Sequence, residues 1–174
     1  MRLLPAAIAI AMLATPARTE THAFCWIGAA GYRIEGTISY PDGASGILTE
    51  DDLSGFAIAG FQDDEFLGRW SLEERTPATS VTIRFDADAL RFPMGGNPAD
   101  GTYQEWNADG VVENCGTPGF GFNGGNWAQD VCVDGVFREE SGVPPDTPLG
   151  IATDAQDPCG PPLMSALPGP QRSG

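Results

Sequence analysis

The sequence contains no lysine and a single histidine, His22, among its 174 residues. Nine arginines are outnumbered by 24 aspartate and glutamate residues, which gives a formal net charge of −15. Binding to the phosphate backbone of nucleic acid, or to anionic lipid, requires a cationic surface, so this composition excludes the first and disfavours the second. One imidazole also leaves a serine or cysteine nucleophile without its usual base, and together with the absence of a C-x-x-C pair it disfavours a zinc site. The sequence therefore predicts no histidine-dependent hydrolase, no zinc site and no cofactor.

Beyond its first residues, the chain also lacks an apolar run long enough to span a bilayer as a helix. Residues 1–17 have the pattern of a secretory signal peptide, because Arg2 precedes an apolar stretch over 3–13 and small residues precede a cleavage position after Ala17. A second cleavage position that fits the pattern follows Ala23. We expect a periplasmic or secreted mature chain that begins at Arg18 and has no transmembrane segment. The exclusive use of arginine favours GC-rich coding and hence a bacterial source.

Four cysteines remain after this processing: Cys25, Cys115, Cys132 and Cys159. An even number of cysteines in an exported chain is typical of disulfides, and four cysteines allow three pairings. We favour Cys115 with Cys132, which closes a short glycine-rich loop, and Cys25 with Cys159, which ties the mature N-terminus to the C-terminal tail.

Short segments of alternating polar and apolar residues, separated by turn residues, recur along the chain. No segment has ten or more residues of helical periodicity, so the pattern predicts an all-β fold, either an antiparallel β-sandwich or an incomplete barrel. The β domain is expected over 18–140 and an irregular Pro-rich tail, tethered by Cys159, over 141–174. The predicted strands cover residues 32–40, 56–61, 66–72, 80–85, 102–106, 111–115 and 132–137, with shorter ones near 47–48 and 90–92.

Two catalytic patterns are present in the sequence, and neither is complete. The segment GFGFNG, over 119–124, matches a dinucleotide-binding fingerprint, but Pro118 stands where a strand should lead in and no helix follows. Pairs of carboxylates could serve a glycoside hydrolase, but the acidic residues are numerous and lie in predicted turns, so no acid and base stand out. A carbohydrate-active hydrolase that uses two carboxylates remains one alternative.

Calcium is the metal that best suits an acidic exported domain. Asp86 and Asp88, and likewise Asn107 and Asp109, place oxygen ligands two residues apart, as calcium loops do. Neither pair is followed by the remaining ligands of an EF-hand. We predict no metal site, with these four residues as weak calcium candidates and a calcium-stabilised surface protein as a further alternative.

Aromatic and amide side chains are concentrated in one glycine-rich part of the chain, over 103–133. Aromatic faces beside amides suit the recognition of sugars or peptides, although aromatic residues in small β domains also fill the core. The leading hypothesis is a non-catalytic exported β domain, structural or ligand-binding, whose partner would be a glycan or a peptide. The predicted ligand-binding residues are Trp106, Phe120, Phe122, Asn126 and Trp127.

Four features carry a resemblance: GTISY at 36–40, LTEDDLSGFAIAGF at 48–61, the predicted strand that contains Trp70, and CGTPGFGFNGGNWAQDVCVDG at 115–135. Over residues 32–137 the chain resembles exported bacterial β domains of uncharacterised function, which are related to secreted proteins with a PEP-type C-terminal sorting signal. The resemblance implies an exported β domain and carries over no site residues. The terminal hydrophobic helix and basic cluster of the sorting signal are missing here, so surface sorting by that route is not implied.

Overall fold

The computed structural model describes residues 18–109, 115–152 and 158–160, which form twelve β-strands and two short 3₁₀ helices. Within this part of the chain, no helix is long and apolar enough to cross a membrane. The predicted signal peptide lies outside the described residues. The strands are β1 (Thr19–Ile27), β2 (Tyr32–Pro41), β3 (Ile47–Thr49), β4 (Gly55–Gln62), β5 (Glu65–Ser71), β6 (Val81–Thr82), β7 (Arg84–Asp86), β8 (Gln104–Trp106), β9 (Phe120–Gly124), β10 (Gln129–Val133), β11 (Val136–Val143) and β12 (Gly150–Ile151).

Two five-stranded sheets face each other, with the strand orders β12-β1-β2-β4-β5 and β11-β10-β9-β8-β6. All their strand pairs are antiparallel, and β3 pairs with β7 in a separate two-stranded sheet. One hydrophobic core draws its residues from both five-stranded sheets. The all-β antiparallel fold predicted from the sequence is confirmed, in its sandwich form.

The alternation in β2 is confirmed residue by residue, because Tyr32, Ile34, Ile38 and Tyr40 are all buried. Strand β1 was not predicted, although it pairs with β2 along its entire length. Its three consecutive buried residues, from Phe24 to Trp26, hide the period of two that marks a strand.

The predicted hairpin of residues 56–61 and 66–72 is formed by β4 and β5, but one of its side chains was placed wrongly. Phe66 was expected to share the inward face of Trp70, yet Phe66 is 56% exposed whereas Trp70 is 5% exposed. The register of the pair shifts between Gly60 and Phe61, so the hairpin tip turns away from the core. Phe66 packs instead against the edge of the Phe61 ring.

The segment 132–137 was predicted as one strand and is in fact a tight hairpin. Asp134 and Gly135 both adopt positive φ, 52° and 77°, and join β10 to β11 as a primed turn does. Strand β8 pairs with β6 on one edge and with β9 on the other. The return strand predicted over 111–115 lies almost wholly outside the described residues.

The sheets extend into the segment that was predicted to be an irregular tail. Strand β11 continues to Val143, Leu149 is buried in the core, and β12 pairs with β1. Residues 141–151 therefore belong to the sandwich rather than to a tail that starts at 141. The rest of the predicted tail lies mainly outside the described residues.

Both disulfides have the predicted pairing. Cys25 in β1 is bonded to Cys159, with 5.1 Å between the two Cα atoms, and Cys115 is bonded to Cys132 in β10, with 6.1 Å. The first bond fastens the C-terminal segment to the first strand. The second encloses strand β9.

Candidate functional site

A cleft of about 520 Å³ opens on the outer face of the second sheet, at the ends of β8, β9 and β10. Tyr103, Asn123 and Asp130 lie on this face because their neighbours along the chain, Gln104, Phe122 and Val131, point into the core. The cleft is lined by Gly96, Pro98, Tyr103, Asn123, Gly125, Asn126, Trp127, Ala128 and Asp130.

Trp127 is the most exposed large hydrophobic side chain of the described residues, with 92% of its surface accessible. It lies in the connection between β9 and β10, beyond the last pair of that ladder, Gly124 with Gln129. Asn126 beside it is also exposed. An indole at the surface, next to an amide, does not contribute to core packing and is accessible to a ligand.

Three polar residues form a row across the outer face of the sheet. Glu105 of β8 is paired with Asn123 of β9, and Asn123 is paired with Asp130 of β10. The Asn123 amide donates to Asp130 Oδ1 at 3.3 Å, and the Tyr103 hydroxyl donates to Glu105 Oε2 at 2.8 Å. The hydrogen-bond ladders therefore hold both carboxylates at fixed positions beside the cleft.

The environment of these groups favours their protonated forms. Burial raises the pKa of Asp130 to about 6, with a smaller contribution from the negative charge of Glu139. Burial, and after it the charge of Asp109, raises the pKa of Glu105. The pKa of Tyr103 is also raised, mainly by burial and by its hydrogen bond to Glu105. A carboxyl group that titrates near pH 6 is suited to proton transfer or to pairing with a cation.

The structure divides the five predicted ligand-binding residues between the core and the cleft. Trp106, Phe120 and Phe122 are fully buried in the core, so they cannot contact a ligand. Asn126 and Trp127 do line the cleft.

The buried aromatic residues are enclosed by close contacts across the sandwich. The Trp106 ring packs against Phe122 with 4.5 Å between ring centroids. Gly60 lies so close to the Phe120 ring that an added Cβ atom would overlap it. The glycines of the GFGFNG segment permit neighbouring groups to approach β9 closely. Gly121, for example, lies against the Asn107 carbonyl.

Sequence reasoning did not single out Tyr103 and Asp130 as site residues. Both fall within the predicted surface of residues 103–133. Asp130 occupies an outward position of β10, whereas Tyr103 directly precedes β8. The period of two could have identified Asp130, but only with the correct limits of β10.

The weak calcium candidates do not converge. Asp86 Oδ1 accepts from the backbone of Ala89 at 3.0 Å, Asp88 Oδ2 accepts from the backbone of Gly46 at 3.1 Å, and Asn107 donates to the Phe120 carbonyl at 2.8 Å. Asp109 lies near Glu105 instead. Across the described ranges, no group of three or more histidine, cysteine, aspartate or glutamate side chains could hold a metal ion.

Comparisons with protein-family models, with curated proteins and with solved structures found no match to this chain. The fold and the cleft together define a disulfide-bridged β-sandwich with an acidic, aromatic-lined depression on one sheet.

Proposed function

We propose that this domain is an exported, non-catalytic module that binds a glycan in the cleft beside Trp127. The exposed indole carries the proposal. A pyranose ring presents an apolar face that can stack on such a ring, while its hydroxyl groups need directional partners. Asn123, Asn126 and Asp130 supply amide and carboxylate groups around the same cleft.

A glycan fits this site better than an extended peptide does. A peptide that binds by adding a strand requires an unpaired strand edge, which supplies backbone hydrogen bonds. Strands β8, β9 and β10, which underlie the cleft, are each paired on both edges. Recognition here must therefore rely on side chains, as it does for sugars.

The test is a glycan array followed by calorimetry on the best ligand, with the wild type and Trp127→Ala. We expect Trp127→Ala to weaken binding by about tenfold or more, since an aromatic side chain that a ligand covers contributes on the order of 1.4 kcal/mol or more. Phe66→Ala is the matched control, because Phe66 is also an exposed aromatic residue but lies on β5 of the other sheet. Equal binding by the wild type and Trp127→Ala, or no glycan bound by either, would refute the proposal.

One observation favours a second candidate, a carbohydrate-active hydrolase. Glu105 and Asp130 both have raised pKa values and are separated by one strand, which places their Cα atoms about 10 Å apart at the usual strand spacing. Inverting glycosidases hold their two carboxyl groups about 6.5–9.5 Å apart. Turnover of chromogenic glycosides that is abolished in both Asp130→Asn and Glu105→Gln would support this candidate over the binding module.

Export by signal-peptide cleavage after Ala17 is part of the proposal. Strand β1 begins at Thr19, so cleavage there leaves the strand whole, whereas cleavage after Ala23 would remove residues 19–23 from it. Two disulfides are also compatible with an oxidising compartment. Intact mass measurement of protein from a periplasmic fraction should give a chain that starts at Arg18 and contains no free thiol. A chain that retains Arg2 would contradict export.

A further inference from the structure

The charges around the cleft have one sign. Asp130 lies in its lining, Glu105 is hydrogen-bonded to the lining residue Tyr103, and Glu139 is close enough to influence Asp130. No arginine is among the lining residues described above, and the chain has no lysine. The electrostatic potential in the cleft is therefore negative, which attracts cationic ligands and repels anionic ones.

Asp130 and Glu105 differ in how far their hydrogen-bonding capacity is used. Glu105 accepts from the Tyr103 hydroxyl at 2.8 Å and also from Ser80. Asp130 accepts from the Asn123 amide at the longer distance of 3.3 Å. A carboxylate can accept about four hydrogen bonds, so Asp130 retains acceptor sites within a cleft that can admit a ligand.

Asp130 and Trp127 line the same cleft, so one ligand could contact both side chains at once. An indole face attracts a cation as well as an apolar ring face. A carboxylate that is partly removed from water gains most from a donor that carries positive charge. A sugar with an ammonium group combines the two features.

We propose that the cleft selects glycans in which a sugar carries a free, protonated amine, with the pyranose stacked on Trp127 and the ammonium group donating to Asp130. This inference rests on the proposed glycan binding and specifies its ligand class. An N-acetylated sugar replaces the ammonium group by a neutral acetamide and loses the ion pair. A uronic acid brings a further negative charge to the cleft and is rejected.

The experiment compares two tetrasaccharides that differ by a single charge. The probes are the tetramer of N-acetylglucosamine and the same tetramer with one acetyl group removed, with a tetramer of galacturonic acid and a tri-lysine peptide as further arms. Binding is measured by calorimetry at about 0.15 M salt, because salt at this concentration screens the attraction of distant charges. The proteins are the wild type, Trp127→Ala, Asp130→Asn and Asp64→Asn. Asp64→Asn makes the same change in net charge at a fully exposed side chain in the turn between β4 and β5, where Asp64 lies 3.7 Å from Arg33.

We expect the wild type to bind the tetramer with the free amine about tenfold more tightly than the fully acetylated one, the size of effect given by a charge-assisted hydrogen bond. Asp130→Asn should remove this preference and Asp64→Asn should keep it. Trp127→Ala should weaken the binding of both tetramers. The galacturonic acid tetramer should not bind.

Other results would overturn the inference in distinguishable ways. Equal affinity of the wild type for the two glucosamine tetramers, lost in Trp127→Ala, refutes the amine preference but leaves glycan binding intact. A preference that survives in Asp130→Asn, or disappears in Asp64→Asn, shows attraction to the net charge of the protein rather than to Asp130. If tri-lysine binds as tightly as the free-amine tetramer and this binding depends on Asp130, the cleft recognises an ammonium group without the sugar, and the proposed ligand class is wrong. Failure to bind any of these probes, together with an empty glycan array, refutes both proposals.

Discussion

The indole nitrogen of Trp26 donates a hydrogen bond to the side-chain oxygen of Gln129 at 2.7 Å, across the interior between the two sheets. Both residues are fully buried. The Gln129 amide nitrogen donates in turn to the carbonyls of Pro145 and Thr147, each at 2.8 Å. One side chain thus joins the first strand, the start of β10 and the segment that leads to β12. It also directly precedes Asp130 in the cleft.

Gln129→Leu should destabilise the domain strongly. The substitution keeps the approximate volume but leaves the Trp26 indole and two carbonyls without partners, and each buried unsatisfied group costs about 1–3 kcal/mol. We expect a loss of about 3 kcal/mol in the free energy of unfolding, measured by urea denaturation. Gln62→Leu is the control, because Gln62 is half-buried and makes only a 3.4 Å bond to the Ala30 carbonyl. Its cost should stay below about 1 kcal/mol, and equal costs for the two variants would contradict a role for this network.

Substitution of the two tryptophans of the predicted aromatic site should have very different effects on stability. Trp106→Ala removes a fully buried indole that packs against several core rings, so we expect a loss of about 3–5 kcal/mol in stability. Trp127→Ala removes an indole that is 92% exposed and should change stability by no more than about 0.5 kcal/mol. Thermal unfolding of both variants checks this contrast, and a large stability loss in Trp127→Ala would show a structural role instead.

Removal of the two disulfides should have unequal effects. The Cys25–Cys159 bond spans 134 residues of sequence and the Cys115–Cys132 bond spans 17. In the chain-entropy treatment a longer closed loop constrains the unfolded state more, which gives about 5 kcal/mol for the first bond and about 3 kcal/mol for the second. Paired cysteine-to-serine variants, compared by chemical denaturation, should rank in that order. The reverse ranking would mean that native-state contacts of the short loop outweigh the chain entropy.

Asp130→Asn should stabilise the domain at neutral pH and not at acidic pH. The native pKa of about 6 lies above the ordinary value of 3.8, so the folded protein binds more protons than the unfolded chain between these values. Stability therefore decreases as pH rises from about 4 to about 6, and the penalty is fully present above that window. Asparagine cannot ionise and removes the penalty.

We expect Asp130→Asn to gain about 1 kcal/mol at pH 7.5 after allowance for the partial exposure of the group, and almost nothing at pH 3.5. Thermal melts at the two pH values measure the difference. Asp64→Asn controls for the lost negative charge and should show little gain, because the Asp64 side chain is fully exposed. A gain of equal size at both pH values would show that ionisation of Asp130 is not its cause.

Features that depend on local patterns could be predicted from the sequence. The alternation in β2 identifies its buried face without any partner strand, and the spacing of the four cysteines favours the pairing that the structure has. Features that depend on a partner strand could not. The shift in register between Gly60 and Phe61, which exposes Phe66, is set by geometry between strands. The turn at Asp134 and Gly135 is a different case, because Asp-Gly is itself a local signal for a primed hairpin turn and could have divided the predicted strand.

Charge, cysteine content and the period of apolar residues were enough to establish an acidic, doubly bridged, all-β domain, since each of these properties is local or additive along the chain. The division of the aromatic residues between core and cleft was decided by tertiary structure alone. Trp106 lies in a strand whose inner face is covered by the opposite sheet, whereas Trp127 lies beyond the last paired residues of β9 and β10, where no sheet covers it. The indole of Trp106 packs in the core and that of Trp127 is accessible to a ligand, because the burial of a side chain depends on what lies opposite it and not on the residue type.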